Sequence, residues 1–210
     1  MCARTTGPLL SLDARGSIGG SLTFSGWKGR SYVRRLVTPA NPKSNAQTGV
    51  RSMMKFLSQA WADLSAPNKA TWEDLAAQIN ASPFNAYVKY NLKNWRDFLT
   101  PSHAYPAERA GEVDNPGTPV CTLQGRTILV TSVVPSSIGD NWGAIIFRSP
   151  TGTFTASWNN AIGVVVALSG ATVTYYDGPL DPGTYYYQLG GFTDEGTYGN
   201  SGNEDSETVV

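Results

Sequence analysis

The chain has 210 residues, of which 40% are apolar and 11% aromatic, including six Trp, so there is material for one large core or two small ones. Its formal net charge is zero and its longest apolar runs, such as residues 164–168, are only a few residues long, which excludes a membrane-spanning helix. The first residues lack the sustained apolar stretch of a secretory leader. Cys2 and Cys121 are far apart, which gives neither a disulfide framework nor metal-ligand spacing. The expectation is a reducing compartment, free thiols rather than a Cys2–Cys121 bridge, no metal, no cofactor and no membrane.

The zero net charge conceals an asymmetry. Residues 1–109 carry 14 Lys/Arg against six Asp/Glu, whereas residues 110–210 carry two against ten. The change falls in TPSHAYPAERAGEVDNPGTP, residues 100–119, a Pro- and Gly-rich stretch without an apolar period. Its composition predicts a linker, with a domain boundary near residue 112.

In chain order, residues 1–26 are small and polar, with Gly16, Gly19, Gly20 and Gly26. SLTFSGW and RSYVRRLV alternate well enough to predict short strands at residues 22–24 and 32–36, joined through a Gly-Trp-Lys-Gly turn. A lone hairpin is marginal in water, so it is expected to lean on a helix or on another subunit, the alternative being a partly disordered tail. Thr38-Pro39-Ala40-Asn41-Pro42 stops this segment, and Ser44 or Asn45 can cap a helix. Val50, Met53, Met54, Leu57, Trp61 and Leu64 then follow a 3.6-residue period along one face. Ser65 with Pro67, and Ser82 with Pro83, repeat the start signal. The next stripes are Thr71, Trp72, Leu75, Ala76 and Ile79, then Tyr87, Val88, Asn91, Leu92, Trp95 and Leu99. Three such helices are expected to enclose a small core containing Trp61, Trp72 and Trp95.

This run resembles a module of phage and prophage structural proteins. The resemblance rests on Trp27, Lys28, Gly29, Arg30, Tyr32, Val33 and Arg34, then Asn41, Pro42, Lys43, Ser44, Gln47 and Arg51, then Trp61, Leu64, Ser65 and Trp72, over roughly residues 16–95. It implies a virion or virion-associated protein and carries no catalytic or binding residue with it. Between Asp13 and Asp63 there are eight Lys/Arg and no acid, with Trp27 and Tyr32 interleaved. Such a cluster suits docking onto acidic neighbours, a solvated face, or nucleic acid. Docking is preferred because no nucleic-acid module accompanies the charge. Trp27, Lys28, Arg30, Tyr32, Arg34 and Arg35 are therefore the candidate docking residues.

The C-terminal half predicts short β-branched or aromatic strands at residues 120–123, 127–134, 142–148, 153–158, 162–168, 172–176, 183–192 and 207–209, separated by Gly, Pro, Asp or Asn. That spacing suggests an antiparallel sandwich. The stretch from Val173 to Tyr187, with Leu180, Pro182, Gly183, Tyr185 and Tyr187 at a Leu-x-Pro-Gly corner, and the following Gly191 to Ser201, resemble the later strands of a fibronectin type III domain. The resemblance implies a packed tyrosine at Tyr185 or Tyr187 and a core Trp at Trp142. Trp142 and Trp158, with Tyr175, Tyr176 and Tyr186, are also the candidates for glycan stacking, although aromatics filling the core and acids sitting in turns are the preferred reading.

Catalysis is not expected. His103, the only His, falls in the expected linker without a nucleophile beside it and reads as a solvated residue. Glu73-Asp74 complements a helix dipole, Asp194-Glu195 reads as a hairpin turn, and no phosphate loop is present. The expected fold is α+β in two domains. Residues 1–45 form a Gly-rich basic arm and hairpin, 46–99 a helical domain, 100–116 a linker, and 117–210 an Ig- or fibronectin III-like β-sandwich. The expected function is a structural component of a tailed-phage virion, in capsid decoration, neck or tail, contacting other virion proteins and copies of itself. A host-surface or carbohydrate-binding accessory module is the alternative, and a DNA-associated internal virion protein the third reading.

Overall fold

The computed structural model describes residues 4–6, 15–37, 43–136 and 140–210. The chain divides into two compact units, Met1–Pro42 and Lys43–Val210. The Thr38–Pro42 turn and Cys2 lie outside the described residues.

The first unit is an antiparallel meander of β1 (Arg4–Thr6), β2 (Arg15–Ile18), β3 (Leu22–Trp27) and β4 (Arg30–Arg35), in that spatial order. The β3–β4 connection is shorter than the predicted four-residue turn: Trp27 pairs with Arg30 across Lys28-Gly29. Both turn residues have positive φ, 48° and 76°, the conformation that matches the twist of a two-residue hairpin and that Gly29 adopts without strain. Two strands precede the predicted hairpin, drawn from sequence with no clear alternation. Among residues 15–37 none is buried, and β4 is exposed throughout.

The second unit begins with α1 (Asn45–Asp63), α2 (Ala66–Gln78) and α3 (Pro83–Arg96). Ser65 and Ser82 cap α2 and α3, each accepting the backbone N–H three residues on, Asn68 and Asn85, at 3.3 Å. The strands that follow are β5 (Val120–Gln124), β6 (Thr127–Val133), β7 (Asn141–Ser149), β8 (Ala161–Val166), β9 (Thr172–Asp177), β10 (Gly183–Thr193) and β11 (Tyr198–Val209). They form an antiparallel four-stranded sheet, β11-β10-β7-β8, and an antiparallel three-stranded sheet, β5-β6-β9. The class is mixed α+β, with three helices and antiparallel sheets among the described residues.

Two cores lie on opposite faces of the four-stranded sheet. Ala144 and Ile146 of β7, with Tyr187 and Leu189 of β10, meet Ile128, Val130 and Val173 of the other sheet. The alternate residues Ile145 and Phe147, with Ala161, Val164 and Phe192, meet Met53, Phe56, Leu57, Trp72, Tyr87 and Trp95 of the helices. Every residue of β7 except Arg148 is therefore buried, and this is why Asn141–Ser149 reads as an apolar run rather than an alternating strand.

Several expectations are corrected by this packing. The helices do not enclose a core of their own; they share one with the sheet. The apolar face of α1 is rotated from the predicted one: Gly49, Met53, Phe56, Leu57 and Ala60 are buried, whereas Val50 and Met54 are exposed. The cause is close approach to β8. A Cβ on Gly49 would stand 2.5 Å from the Ala161 carbonyl oxygen, and the Ser52 hydroxyl accepts from Val164 N at 2.7 Å and bonds its carbonyl at 3.2 Å.

Residues 100–116 are not a linker, and no boundary falls near 112. Thr100, Ser102 and Asp114 are buried. Asn91 takes both backbone groups of Ser102, Trp72 Nε1 donates to His103 O at 2.7 Å, and Asn141 bonds both the N–H and the carbonyl of Asp114. Irregular backbone can be buried when side chains satisfy its polar groups.

The predicted strand at 153–158 is a loop. Its backbone bonds go to side chains and to a local turn rather than to a strand: Thr153 N donates to the Glu204 carboxylate at 2.7 Å, Phe154 O accepts from Gln188 Nε2 at 2.7 Å, and Ser157 O accepts from Asn160 N at 2.9 Å. The last strand is far longer than the predicted three residues, running from Tyr198 to Val209.

Candidate functional site

The meander carries the candidate docking residues, and pairing register sorts them. Trp27 opposes Arg30, Ser25 opposes Tyr32 and Thr23 opposes Arg34, while Phe24 opposes Val33 and Leu22 opposes Arg35. Directly opposed residues share a face and successive residues alternate. One face thus presents Trp27, Arg30, Tyr32 and Arg34, and the other presents Leu22, Phe24 and Val33 with Arg35 at its end. Ile18, opposite Leu22, extends the apolar face. Trp27 is 67% exposed, with the Lys28 ammonium 4.7 Å from its ring centre. Among the described residues no carboxylate pairs with Arg30, Arg34 or Arg35; the ion pairs are His103–Asp194, Arg126–Asp181 and Arg148–Asp177. Such an arrangement can bind an acidic surface or, through its edge, another strand.

The glycan-stacking candidates separate. Trp142 is only 8% exposed and sits against Phe56 at 4.8 Å, His103 at 4.0 Å and Phe192 at 5.9 Å between ring centres. It belongs to the core shared with the helices and also lines the hollow beside His103 and Asp194. Trp158 is half-buried on Trp95, 4.5 Å between centres, and lines two adjoining hollows of about 240 and 260 Å³ with Phe98. Phe98 is 62% exposed. The rest of the lining is mostly apolar: Phe147 and Tyr198 on one side, Val50, Leu92 and Trp95 on the other.

His103 is not a solvated linker residue. Its Nδ1 lies 2.9 Å from Asp194 Oδ2, its backbone N–H donates to Asp194 O at 2.7 Å, and its ring packs on Trp142. The hydrogen bond from His103 holds the Asp194 carboxyl below its usual range, against a smaller opposing effect of burial. A hollow of about 380 Å³ opens beside this pair, with Asp140, Asn141 and Ser169 on its wall. Ser169 Oγ donates to Asp114 at 3.2 Å.

A second polar group escaped sequence reasoning altogether. Arg148 crosses the core: its Nη1 meets Asp177 Oδ2 at 2.7 Å, its Nη2 donates to Asn45 Oδ1 at 2.6 Å, and Tyr187 Oη donates to the same Asp177 oxygen at 2.9 Å. Burial, with Asp177 beside it, raises the Tyr187 phenol far above its ordinary range. An isolated Arg in an apolar run was the one available signal. Cys121 is a free thiol in β5, pushed up to about 12 by burial and then by Asp205 and Glu207, so the inert thiol predominates at neutral pH.

No family model, curated protein or solved structure matches the chain.

Proposed function

We propose that the chain is a structural component of a tailed-phage particle, docking through the basic meander and displaying the Lys43–Val210 body. The observation that carries this reading is a sheet with no interior. A meander holds its shape by burying a face, yet none of residues 15–37 is buried, and both faces carry large apolar side chains. Its complement is therefore a surface outside the unit, and four basic residues of the hairpin, Lys28, Arg30, Arg34 and Arg35, select an acidic one. The resemblance of residues 16–95 to phage structural modules supplies the setting.

The sheets of the body are read as a fibronectin type III-like sandwich. Three features support this: the pairing of a β5-β6-β9 sheet with a β11-β10-β7-β8 sheet, a core shared by the two, and the Tyr185 hydroxyl donating to Asp181 O at 3.0 Å. That last bond is a tyrosine corner at the entry to β10. Domains of this kind serve as spacers or adhesive modules, and their fold does not by itself select a ligand.

The test is deletion of residues 1–42. The remaining chain keeps both cores and is expected to unfold cooperatively while failing to enter particles, measured by its abundance in purified virions. Incorporation at the full-length level overturns the reading. A second reading, host-glycan binding, rests on the Trp158–Phe98 hollow; retained glycan-array signal in Trp158→Ala removes it.

A further inference from the structure

We infer that the Trp158–Phe98 hollow binds a small amphipathic anion, an aromatic or short alkyl body bearing one carboxylate that Arg96 receives. The inference goes beyond the docking reading, lies wholly in the Lys43–Val210 body, and gives the hollow a different occupant from a glycan.

Three side chains around the hollow are left unused by the body's own packing. The first is Phe98. α3 ends in a Schellman arrangement, with Leu99 N donating to Asn94 O at 2.8 Å and Phe98 N to Trp95 O at 3.3 Å. Phe98 is its left-handed residue, at φ 62°. Glycine or asparagine usually takes that place, because a Cβ there crowds the backbone. The phenyl ring that takes it instead is mostly exposed and lines both lobes of the hollow. Phe98 thus carries backbone strain and gains little burial, the pattern of a residue kept for contact with something else.

The second is Val50, an exposed aliphatic residue of α1 that lines the larger lobe with Leu92. The third is Arg96, exposed in the last turn of α3 and lining the same lobe. Among the described residues its guanidinium has no ion-pair or hydrogen-bond partner. It is also the one charged side chain on the described walls of either lobe.

Size and chemistry select the ligand. An apolar cavity of about 150 Å³ holds a benzene molecule, and the lobes, of about 240 and 260 Å³, each exceed that. Trp158 and Phe98 belong to both lobes, and Trp158 is braced by Trp95 at 4.5 Å and Tyr198 at 5.6 Å between ring centres. A ring or short chain entering the hollow meets aromatic faces and aliphatic carbon. Its charge meets a planar guanidinium, which pairs with a carboxylate through two parallel hydrogen bonds. A neutral sugar would leave Arg96 without a counter-charge.

The test is isothermal titration of the full chain with 2-naphthoate, with its neutral isostere 2-naphthamide, and with maltotriose. The wild-type chain is expected to bind one naphthoate and to bind the amide about tenfold more weakly, the factor that a charge-assisted hydrogen bond supplies. Added salt should narrow that gap. Arg96→Gln is expected to bind acid and amide alike, at the wild-type level for the amide. Phe98→Gly is expected to unfold at the wild-type temperature or above, since glycine takes the left-handed conformation freely, while binding both probes about tenfold more weakly or less. If Phe98→Gly unfolds early, Phe98→Asn serves in its place. A wild-type chain that binds neither probe, or both equally, overturns the inference. So does Arg96→Gln that keeps the preference for the acid, a Phe98 variant that binds as wild type does, or more than one naphthoate per chain. Maltotriose that displaces naphthoate also overturns it and returns the hollow to a glycan.

Discussion

Among the described residues two antiparallel sheets have four strands, and they are stabilised in opposite ways. In the body, β7 lies between two cores, with alternate residues committed to the helices and to the second sheet. In the meander, the same alternation sorts a basic-aromatic face from an apolar one, and neither is covered within its unit. Strand pairing alone does not distinguish them; burial does. Backbone hydrogen bonds contribute little net stability in water, whereas buried apolar area contributes most of it. The body therefore holds its own structure, and the meander depends on what it meets.

The largest expected effect separates the two sheets by tryptophan. Trp72 is fully buried and holds the His103 carbonyl, so Trp72→Ala is expected to cost about 3–5 kcal/mol in urea unfolding. Trp27→Ala, at the exposed hairpin, should stay within about 0.5 kcal/mol while impairing docking. Equal costs for the two would mean that the meander is buried in the free protein, and the contrast would be lost.

A comparable effect is expected at the charge that crosses the core. Arg148→Met strands Asp177 in a buried site and should cost roughly 3–5 kcal/mol, the usual penalty for removing one partner of a buried pair. Adding Asp177→Asn should recover much of it, because the uncompensated charge is gone. A neutral Arg148→Met in the same unfolding measurement would show that the Asn45–Arg148–Asp177–Tyr187 chain does not tie the helices to the sheets.

The sequence was most legible where a signal was local. Ser65-Ala66-Pro67 and Ser82-Pro83 announce two helices because capping needs only neighbouring residues, and Trp72 with Ala76 falls on the buried face that its period implies. Lys28-Gly29 lies within the predicted turn for the same reason. Long-range packing was not legible. Nothing in TPSHAYPAERAG reveals that Asn91 and Trp72, with Thr71 Oγ1 accepting from Tyr105 N at 3.0 Å, would satisfy its backbone, so a buried segment reads as a linker. Gly49 looks like a weak point in a helix until Ala161 is found against it. The strand Tyr198–Val209 is hidden by Gly, Asn and acids because its stability comes from pairing with β10 and not from its own propensity.

The smallest effect concerns acid, and it falls on one unit only. Asp194 has its carboxyl lowered by the hydrogen bond from His103, so its contribution to stability is present above the unfolded value of about 3.9 and is lost as pH falls through the lower folded value. Asp194→Asn should therefore reduce stability at neutral pH and converge with wild type in the acid limb, below about pH 4. The side chain is half-exposed, which keeps the effect small. Among the described residues the meander has no carboxylate, so deleting residues 1–42 should leave the position of the acid limb unchanged, as followed by tryptophan fluorescence. A shifted acid midpoint in the truncated chain would mean that the meander is coupled to the body's carboxylates, and the contrast between the two sheets would be lost.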